Sequence, residues 1–361
     1  MAGPLSIVDL DLILDSTREL WEEVRGERVF LTGGTGFFGC WLVESFCHVN
    51  RALGLGARAT VLTRDPARFR AKCPHLAAEP AVTLHAGDVR SFEFPAGEFR
   101  FVVHAATEAS AKQAAEEPLE MLSTILAGTE RTLKFAAQCG ARKFLLTSSG
   151  AVYGRQPPDL THVPESYDGA PDPLAASSVY AEGKRASELM CALFQDWINA
   201  PGESGAPRAE GMKFEAKIAR CWAFCGPHLP LDAHFAIGNF IGDVLAGRAI
   251  SIAGDGTARR SYLYAADLAV WLWTVLFRAP PLVAINVGTG EDVSILELAQ
   301  CVAATLAPET EIRVARQAVQ GAVPLRYVPS VERAEMLLGL RPTVGLEDAV
   351  WRTAAWHGFA V

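Results

Sequence analysis

The chain has 361 residues, half of them hydrophobic, and a formal net charge of −8 at pH 7. This length and apolar content predict a large α/β domain with room for a smaller lobe, and they exclude a globally disordered chain. The acidic balance, with no basic run of five or more residues, argues against nucleic acid as a partner.

The cysteines and the apolar segments indicate the cellular compartment of the protein and bear on metal and membrane binding. Its eight cysteines form no C-x-x-C pair, and Cys221 and Cys225 have no His or Cys pair to complete a zinc site. We therefore expect reduced thiols in a cytoplasmic protein and no metal. The longest apolar stretch, residues 268–277, is too short to cross a bilayer, and the first residues lack the basic start of a signal peptide. We expect no membrane partner.

In chain order, the first predicted element is an amphipathic helix over residues 10–24, which either packs on the domain or mediates a subunit contact. A strand, RVFLTG, and a helix, FFGCWLVESFCHVN, follow it. Between them Gly33, Gly36 and Gly39 lie at a strand-to-helix turn. Such glycines allow a tight turn, close approach of the backbone to a pyrophosphate, and close packing of a helix whose N-terminus attracts phosphate. Alternatively, they serve the turn alone.

The alternation of strands and helices continues along the chain. The next predicted strands are RATVLTR, AVTLHAGDV, RFVVHAAT and KFLLTSS, with a helix over residues 119–138. A helix over residues 180–199, a surface loop APGESGAPRAEG and a strand KFEAKIARCWAF come next, and helices are expected near residues 236–246 and 294–306. This order predicts an α/β fold, a Rossmann-type doubly wound parallel sheet with a smaller interleaved C-terminal substrate lobe.

The expected domain organisation has three parts. Residues 1–26 form an N-terminal helical extension, and residues 27–226 form an NAD(P)-binding Rossmann domain. Residues 227–361 form mainly a substrate-binding lobe, with some segments returning to the Rossmann core.

A pair of reactive side chains follows the predicted fifth strand. Tyr180 and Lys184, in SSVYAEGKRASEL, are four residues apart and share one face of a helix. A lysine there, helped by a positive nicotinamide, is expected to lower the pKa of the phenol, so that Tyr180 acts as acid or base near neutral pH. Ser149, in LLTSSGAVYG, is placed to hydrogen-bond the reacting oxygen. The Y-x-x-x-K spacing is common in helices where it has only a structural role. The motif LLTSSGAVYG at the end of the preceding strand favours a catalytic role for the pair.

Together these motifs resemble those of the extended short-chain dehydrogenases/reductases, in particular the NAD(P)-dependent nucleotide-sugar epimerase/dehydratase family. TGGTGFFG is similar to the glycine loop of that family, GDV at residues 87–89 to its adenine-contact turn, and VVHAAT to its fourth-strand motif. SSGAVYG and YAEGK are similar to its catalytic segments. GDGTARRSYLYAADLA, INVGTGEDVSILELA and LGLRPTVGLEDAVWRTAAW resemble its substrate lobe and C-terminal helices, so the resemblance covers nearly the whole chain.

The resemblance implies roles for individual residues. Ser149, Tyr180 and Lys184 would be catalytic. The implied cofactor contacts are Gly33, Thr35, Gly36, Phe37, Phe38, Gly39, Arg64, Asp88, Val89, Ala105, Ala106, Thr107, Tyr180 and Lys184. The implied substrate contacts are Glu108, Ser149, His234 and Arg260, with Arg260 near the nucleotide diphosphate. The cofactor would be NADP or NAD, the substrate a nucleotide-activated sugar, and the assembly a homodimer formed through residues 119–138 and 180–199.

Two departures from the family pattern bear on the cofactor and the reaction. Thr63 and Arg64 replace an aspartate that usually follows the second strand, which favours NADP because an arginine suits a 2′-phosphate. Alternatively, Arg64 is a solvated surface residue. Gly150 and Ala151 stand where dehydratases carry acids, so dehydration is disfavoured unless another loop supplies the acid.

Other positions leave the identity of the sugar nucleotide open. The residues considered as substitute acids are Glu108 and His162, and both also fit structural roles. Ala223 and Ile125 replace asparagines of the family pattern. His228 and His234 flank a loop that borders the sugar in the family, although such histidines are often packed or solvated.

The sequence therefore predicts an NAD(P)-dependent nucleotide-sugar epimerase that acts through a transient keto-sugar. The first alternative is an NADPH-dependent nucleotide-keto-sugar reductase. A 4,6-dehydratase ranks below it. A non-catalytic nucleotide-sensing scaffold is the alternative of a different class, because a fold does not fix a function.

Overall fold

A computed structural model describes residues 2–107, 111–200, 213–233 and 235–359. Glu108, His234 and nearly all of the predicted surface loop at residues 200–211 lie outside the described residues. The strands are β1 (Arg28–Thr32), β2 (Arg58–Thr63), β3 (Val82–Ala86), β4 (Phe101–His104), β5 (Lys143–Ser149), β6 (Glu215–Cys221), β7 (Phe224–Cys225), β8 (Ile250–Ile252), β9 (Arg259–Ser261), β10 (Leu263–Tyr264), β11 (Ala284–Val287), β12 (Asp292–Ser294), β13 (Ile312–Val314) and β14 (Arg326–Tyr327).

The helices lie between these strands and cover the main sheet. They are α1 (Ile7–Thr17), α2 (Phe37–Ala52), α3 (Pro66–Lys72), α4 (Pro74–Ala77), α5 (Ala111–Glu116), α6 (Pro118–Gln138), α7 (Val179–Asn199), α8 (Ala236–Leu245), α9 (Ala265–Arg278), α10 (Ile295–Leu306), α11 (Glu332–Leu338) and α12 (Leu346–Trp356). Short 3₁₀ turns occupy Arg18–Val24, Gly150–Tyr153 and Ala176–Ser178.

Within the described residues, seven parallel strands form the main sheet in the order β11-β6-β5-β4-β1-β2-β3. All four residues of β4 are buried, as expected for a strand covered on both faces. The strand order reverses between β1 and β4, and ligands of doubly wound sheets bind in the crevice at such a point. The predicted Rossmann-type fold is confirmed.

The N-terminal helix begins earlier than the sequence predicts. α1 begins at Ile7 because the Ser6 side chain accepts a hydrogen bond from the Val8 N–H, and the predicted helix continues beyond α1 as a 3₁₀ turn. α1 packs on α2 and α9. Its buried Asp9 accepts a hydrogen bond from Tyr264 at 2.8 Å and pairs with Arg352 at 2.6 Å. Within the chain, α1 therefore packs on the domain.

The most apolar segment of the chain is a core helix. α9 contains residues 268–277, and Trp271 and Trp273 on it are fully buried. No helix in the described ranges combines the length and the apolar character that crossing a membrane requires. After α9, β11 returns to the main sheet beside β6, while β9 pairs with β12 and β14 in a small separate sheet. β9 carries Arg260 and β14 carries Tyr327, two residues that lie next to the site described below.

Candidate active site

The glycine loop joins β1 to α2 at the crevice of the sheet. Gly33 has φ +72°, and a Cβ there would lie 2.4 Å from the Ala105 carbonyl group. A Cβ on Gly39 would lie 2.2 Å from the Gly33 oxygen, so α2 begins in contact with the loop. Gly36 precedes α2 without a capping side chain. The first N–H groups of α2 are therefore open to an anion, which is the arrangement that binds pyrophosphate.

The other residues of the predicted glycine-loop set lie around the start of α2. Phe37 and Phe38 are its first residues, and the Phe38 ring packs edge-on against Phe224 with 5.0 Å between ring centroids. The Thr35 carbonyl accepts a hydrogen bond from Lys72 Nζ at 3.2 Å. The structure thus brings these predicted residues together at one corner of the sheet.

A buried polar network, which the sequence analysis missed, supports the segment after β4. His104 Nδ1 lies 2.8 Å from Thr32 Oγ1, and its Nε2 lies 3.2 Å from Thr129 Oγ1. Thr32 Oγ1 also accepts from the Ala106 N–H at 3.2 Å. Burial, with a smaller contribution from the Lys184 charge, lowers the pKa of His104 to about 3, so the ring is neutral. The network fixes Ala105 and Ala106 against the glycine loop.

Lys184 is buried beneath the site on α7. Its Nζ donates to Thr107 Oγ1 and to the Thr147 carbonyl oxygen, both at 2.7 Å. Burial lowers the pKa of Lys184 to about 8. Its Nζ lies 5.9 Å from the centre of the Tyr180 ring. The predicted spacing therefore does place the lysine and the tyrosine side by side.

Three hydroxyl groups converge where β5 ends. Ser149 is buried, and its hydroxyl lies close enough to the phenols of Tyr180 and of Tyr327 on β14 to lower the pKa of both. Tyr327 was missed by the sequence analysis because β14 lies far along the chain and belongs to a different sheet. Burial raises the pKa of Tyr327, which keeps this phenol protonated.

The phenol of Tyr180 is itself buried. Burial raises its pKa to about 12, and the nearby Ser149 hydroxyl lowers it by a smaller amount. In the protein alone, Tyr180 is therefore protonated at neutral pH. The lowering expected from the lysine and the nicotinamide together stays a prediction.

Gly150 has no room for a side chain. A Cβ there would lie 2.6 Å from the Trp222 ring and 2.8 Å from the Tyr327 hydroxyl. An acid at this position would collide with both rings. Among the substitutes considered, His162 donates from Nε2 to the Gly290 carbonyl at 2.9 Å, and Glu108 lies outside the described residues.

The residues predicted to contact the adenosine end of the cofactor follow β2 and β3. Arg90 donates to Asp88 Oδ1 at 2.8 Å, and this hydrogen bond holds the pKa of Asp88 below its usual value, with a further contribution from the Arg64 charge. Val89 is buried against Gly128 of α6. Thr63 is buried at the end of β2, while Arg64 is exposed at the surface next to it. Arg64 and Asp88 are thus neighbours across the end of the sheet.

The predicted substrate contact Arg260 and His228, which the sequence analysis only considered for the sugar loop, lie in different surroundings. Arg260, on β9, is paired in register with Tyr327, and its guanidinium lies 5.6 Å from the centre of that ring. This contact places it next to the Ser149 cluster. His228 instead is buried against Trp356, with ring centroids 4.6 Å apart, and burial lowers its pKa to about 3. His234 lies outside the described residues.

The fold, the glycine loop and the Tyr180–Lys184 pair with Ser149 define an extended short-chain dehydrogenase/reductase. The profile of the "NAD dependent epimerase/dehydratase family" matches residues 29–288. The chain belongs to this family of nucleotide-sugar enzymes. The assignment confirms the nicotinamide dinucleotide cofactor, while the preference for NADP stays a prediction.

Curated relatives and a solved structure are similar over most of the chain. UDP-glucuronic acid decarboxylase 1 of Danio rerio is 28% identical over 330 residues, covering 91% of this chain and 72% of its own. UDP-glucuronic acid decarboxylase 6 of Arabidopsis thaliana is 29% identical over 323 residues, covering 90% and 86%. The dTDP-glucose 4,6-dehydratase of Streptomyces venezuelae, solved with NAD bound, has a TM-score of 0.73 and 24% identity, covering 91% of this chain and 96% of that one.

Proposed function

We propose that this chain is a nucleotide-sugar epimerase that oxidises a sugar hydroxyl at Tyr180 and reduces the resulting ketone before the product leaves. The observation that carries the proposal is the hydroxyl cluster of Ser149, Tyr180 and Tyr327. It lies beside a buried lysine whose pKa is near 8. The cradle formed by Gly33 and Gly39, with the uncapped start of α2, fits a dinucleotide pyrophosphate.

The side chains divide the proton chemistry between them. Ser149 holds the sugar oxygen within reach of Tyr180, which takes the hydroxyl proton and later returns it to the ketone oxygen. Lys184, held by Thr107 and by the Thr147 carbonyl, keeps a positive charge near the phenolate. A bound nicotinamide would accept hydride from the sugar carbon and return it to the other face. Arg260, beside Tyr327, is proposed to contact the nucleotide diphosphate.

Gly150 and its neighbours favour this cycle over dehydration. Elimination of water needs a base that removes a proton next to the ketone, and the Trp222 and Tyr327 rings occupy the space in which an acid at position 150 would stand. A keto-sugar formed here would therefore be reduced rather than dehydrated.

Decarboxylation is the second candidate, because the curated relatives compared above are UDP-glucuronic acid decarboxylases. If the substrate carries a carboxylate on the carbon next to the oxidised one, oxidation creates a β-keto acid. Its C–C bond breaks to release CO₂, and the electron pair moves into an enol that a solvent proton converts back to the ketone. This step needs no acid at Gly150, so the same side chains support either outcome.

Products formed in D₂O separate the candidates. We would incubate the protein and either NAD or NADP with UDP-glucose, UDP-N-acetylglucosamine and UDP-glucuronate, and in a separate reaction with NADPH and a UDP-keto-sugar. The products would be analysed by NMR and mass spectrometry. An epimer without carbon-bound deuterium supports the epimerase. Loss of CO₂ with one deuterium supports the decarboxylase, loss of water supports a dehydratase, and stoichiometric consumption of NADPH by a keto-sugar supports the reductase. Cofactor binding without turnover of any sugar nucleotide contradicts the enzyme and favours a scaffold.

The pKa of Tyr180 is expected to respond to the cofactor. A positive charge close to a phenol favours the phenolate, so oxidised cofactor should lower the pKa of Tyr180 from about 12 by about 1 to 3 pH units. The difference in tyrosinate absorbance between the wild type and Tyr180→Phe, with and without cofactor, measures this change. An unchanged titration would mean that the cation does not reach Tyr180.

Arg64 is proposed to bind the 2′-phosphate of NADP. An ionic hydrogen bond is worth about 1.5–3 kcal/mol, so Arg64→Ser should weaken NADPH binding about 10- to 100-fold and leave NADH binding almost unchanged. Arg58→Ser, at the opposite end of β2 and equally exposed, is the control. Fluorescence titration with both cofactors measures the effect. A wild type that binds NADH more tightly than NADPH would contradict this role.

We also propose the homodimer that the sequence predicts. Leu189, Leu193 and Trp197 project from one face of α7 and are about half exposed or more, and α6 packs beside this helix. Light scattering should give twice the chain mass for the wild type and the monomer mass for Leu193→Glu. A monomeric wild type at micromolar concentration would rule out the dimer.

A further inference from the structure

A second cluster of reactive side chains lies beside the glycine loop. Cys40 is in the first turns of α2, Cys73 lies between α3 and α4, and His228 lies in the loop after β7. The two sulfur atoms and a ring nitrogen lie within 4.8 Å of one another, and all three residues are buried. The proposed catalytic cycle uses none of them.

His228 has a strained backbone conformation and a buried ring whose nitrogens make no hydrogen bond. Its φ of 69° lies in the left-handed region, which is uncommon for a residue other than glycine. The residue is 7% exposed, and neither ring nitrogen has a hydrogen-bond partner among the residues that the structure describes. The Trp356 ring packs on His228 but leaves both nitrogens unpaired. A buried polar group without a partner is costly, so a ligand on a ring nitrogen would explain this arrangement.

The chemistry of the three donors selects the ligand. Two thiolates and a neutral imidazole are soft and borderline donors that suit zinc, whereas magnesium and calcium prefer oxygen. In a tetrahedral zinc site, bonds of about 2.3 Å to sulfur and about 2.0–2.1 Å to nitrogen put the ligand atoms about 3.5–3.8 Å apart. The ligand atoms lie within 4.8 Å of one another, so the cluster reaches that geometry when their separations shorten by about 1.3 Å or less.

We propose that Cys40, Cys73 and His228 bind a structural Zn²⁺ ion that ties the glycine-loop helix α2 to the α3–α4 junction and to the loop after β7. The two thiolates balance the metal charge, which makes the site neutral beside the exposed Lys72. The Thr35 carbonyl oxygen, 3.8 Å from Cys40 Sγ, or a water molecule supplies the fourth ligand. The sequence predicted no metal because the three ligands come from separate segments without a ligand spacing motif.

Metal content and a cobalt spectrum test the site without relying on activity. Protein purified in the presence of zinc and without chelators should hold one zinc ion per chain by elemental analysis. After chelation, added Co²⁺ should give a thiolate-to-cobalt charge-transfer band and the strong visible bands of tetrahedral cobalt. Cys73→Ser and His228→Ala should bind at least about 100-fold more weakly, because even the outer partners of a metal ligand are worth about 10- to 100-fold.

Cys47→Ser is the matched control. Cys47 is equally buried on the same helix but does not belong to the cluster, so this variant should keep the metal and the cobalt spectrum. Added zinc should raise the melting temperature of the wild type and of Cys47→Ser, but not of Cys73→Ser. Overturning results are a wild type without zinc and without the charge-transfer band, an unchanged spectrum in Cys73→Ser, or a Cys40–Cys73 disulfide found by alkylation and mass spectrometry in freshly purified protein.

Discussion

Tyr180→Phe is expected to lower kcat by about 10²- to 10⁴-fold while cofactor affinity stays within about twofold of the wild type. Removal of a positioned general acid–base has an effect of this size, because the sugar hydroxyl then loses its proton acceptor in the transition state. The aromatic ring itself remains, so its packing beside Lys184 is kept. Steady-state turnover of the substrate found in the D₂O experiment, together with cofactor titration, measures both quantities.

Tyr153→Phe is the control for this variant. Tyr153 is a buried tyrosine of the turn that follows Ser149, and its hydroxyl hydrogen-bonds to Asn286 at 3.0 Å. Its loss removes a structural hydrogen bond worth about 1 kcal/mol and should leave kcat within about tenfold. Equal losses in the two variants would mean that Tyr180 acts through packing. Near-normal turnover in Tyr180→Phe would transfer the proton chemistry to another group, and Tyr327, which shares Ser149, is the first to test.

The sequence specifies the part of the site that one local segment carries. Tyr180 and Lys184 follow from their spacing on one helix, and Gly33 and Gly39 follow from their place between a buried strand and a helix. The parallel sheet is predictable for the same reason, because its central strands are continuous apolar runs between helical patterns.

What the sequence leaves unpredicted depends on contacts between distant segments. Tyr327 reaches Ser149 from another sheet, and His104 links β1, β4 and α6 from within an apolar strand. The raised pKa of Tyr180 likewise comes from burial of its phenol in the folded chain, which the spacing of two residues on one helix does not show.

Gly33→Ala is expected to lower the free energy of unfolding by about 2–5 kcal/mol and to abolish cofactor binding. An alanine at positive φ costs about 1–2 kcal/mol, and forcing a methyl group into packed backbone costs about 1–3 kcal/mol more. The neighbour that must move is the backbone of Ala105, 2.4 Å from the added Cβ, and it cannot rotate away as a side chain could. Urea denaturation and cofactor titration measure the two effects.

Gly26→Ala separates backbone strain from crowding, because Gly26 has the same φ of +72° and an added Cβ there meets nothing within 4 Å. This variant should lose about 1–2 kcal/mol through its backbone alone and bind cofactor normally. If the two variants lose equal stability, Ala105 yields to the methyl group and close packing is not the reason for glycine at position 33. If Gly33→Ala is destabilised but still binds cofactor, the loop serves the turn alone, and the phosphates must be held elsewhere than at the start of α2.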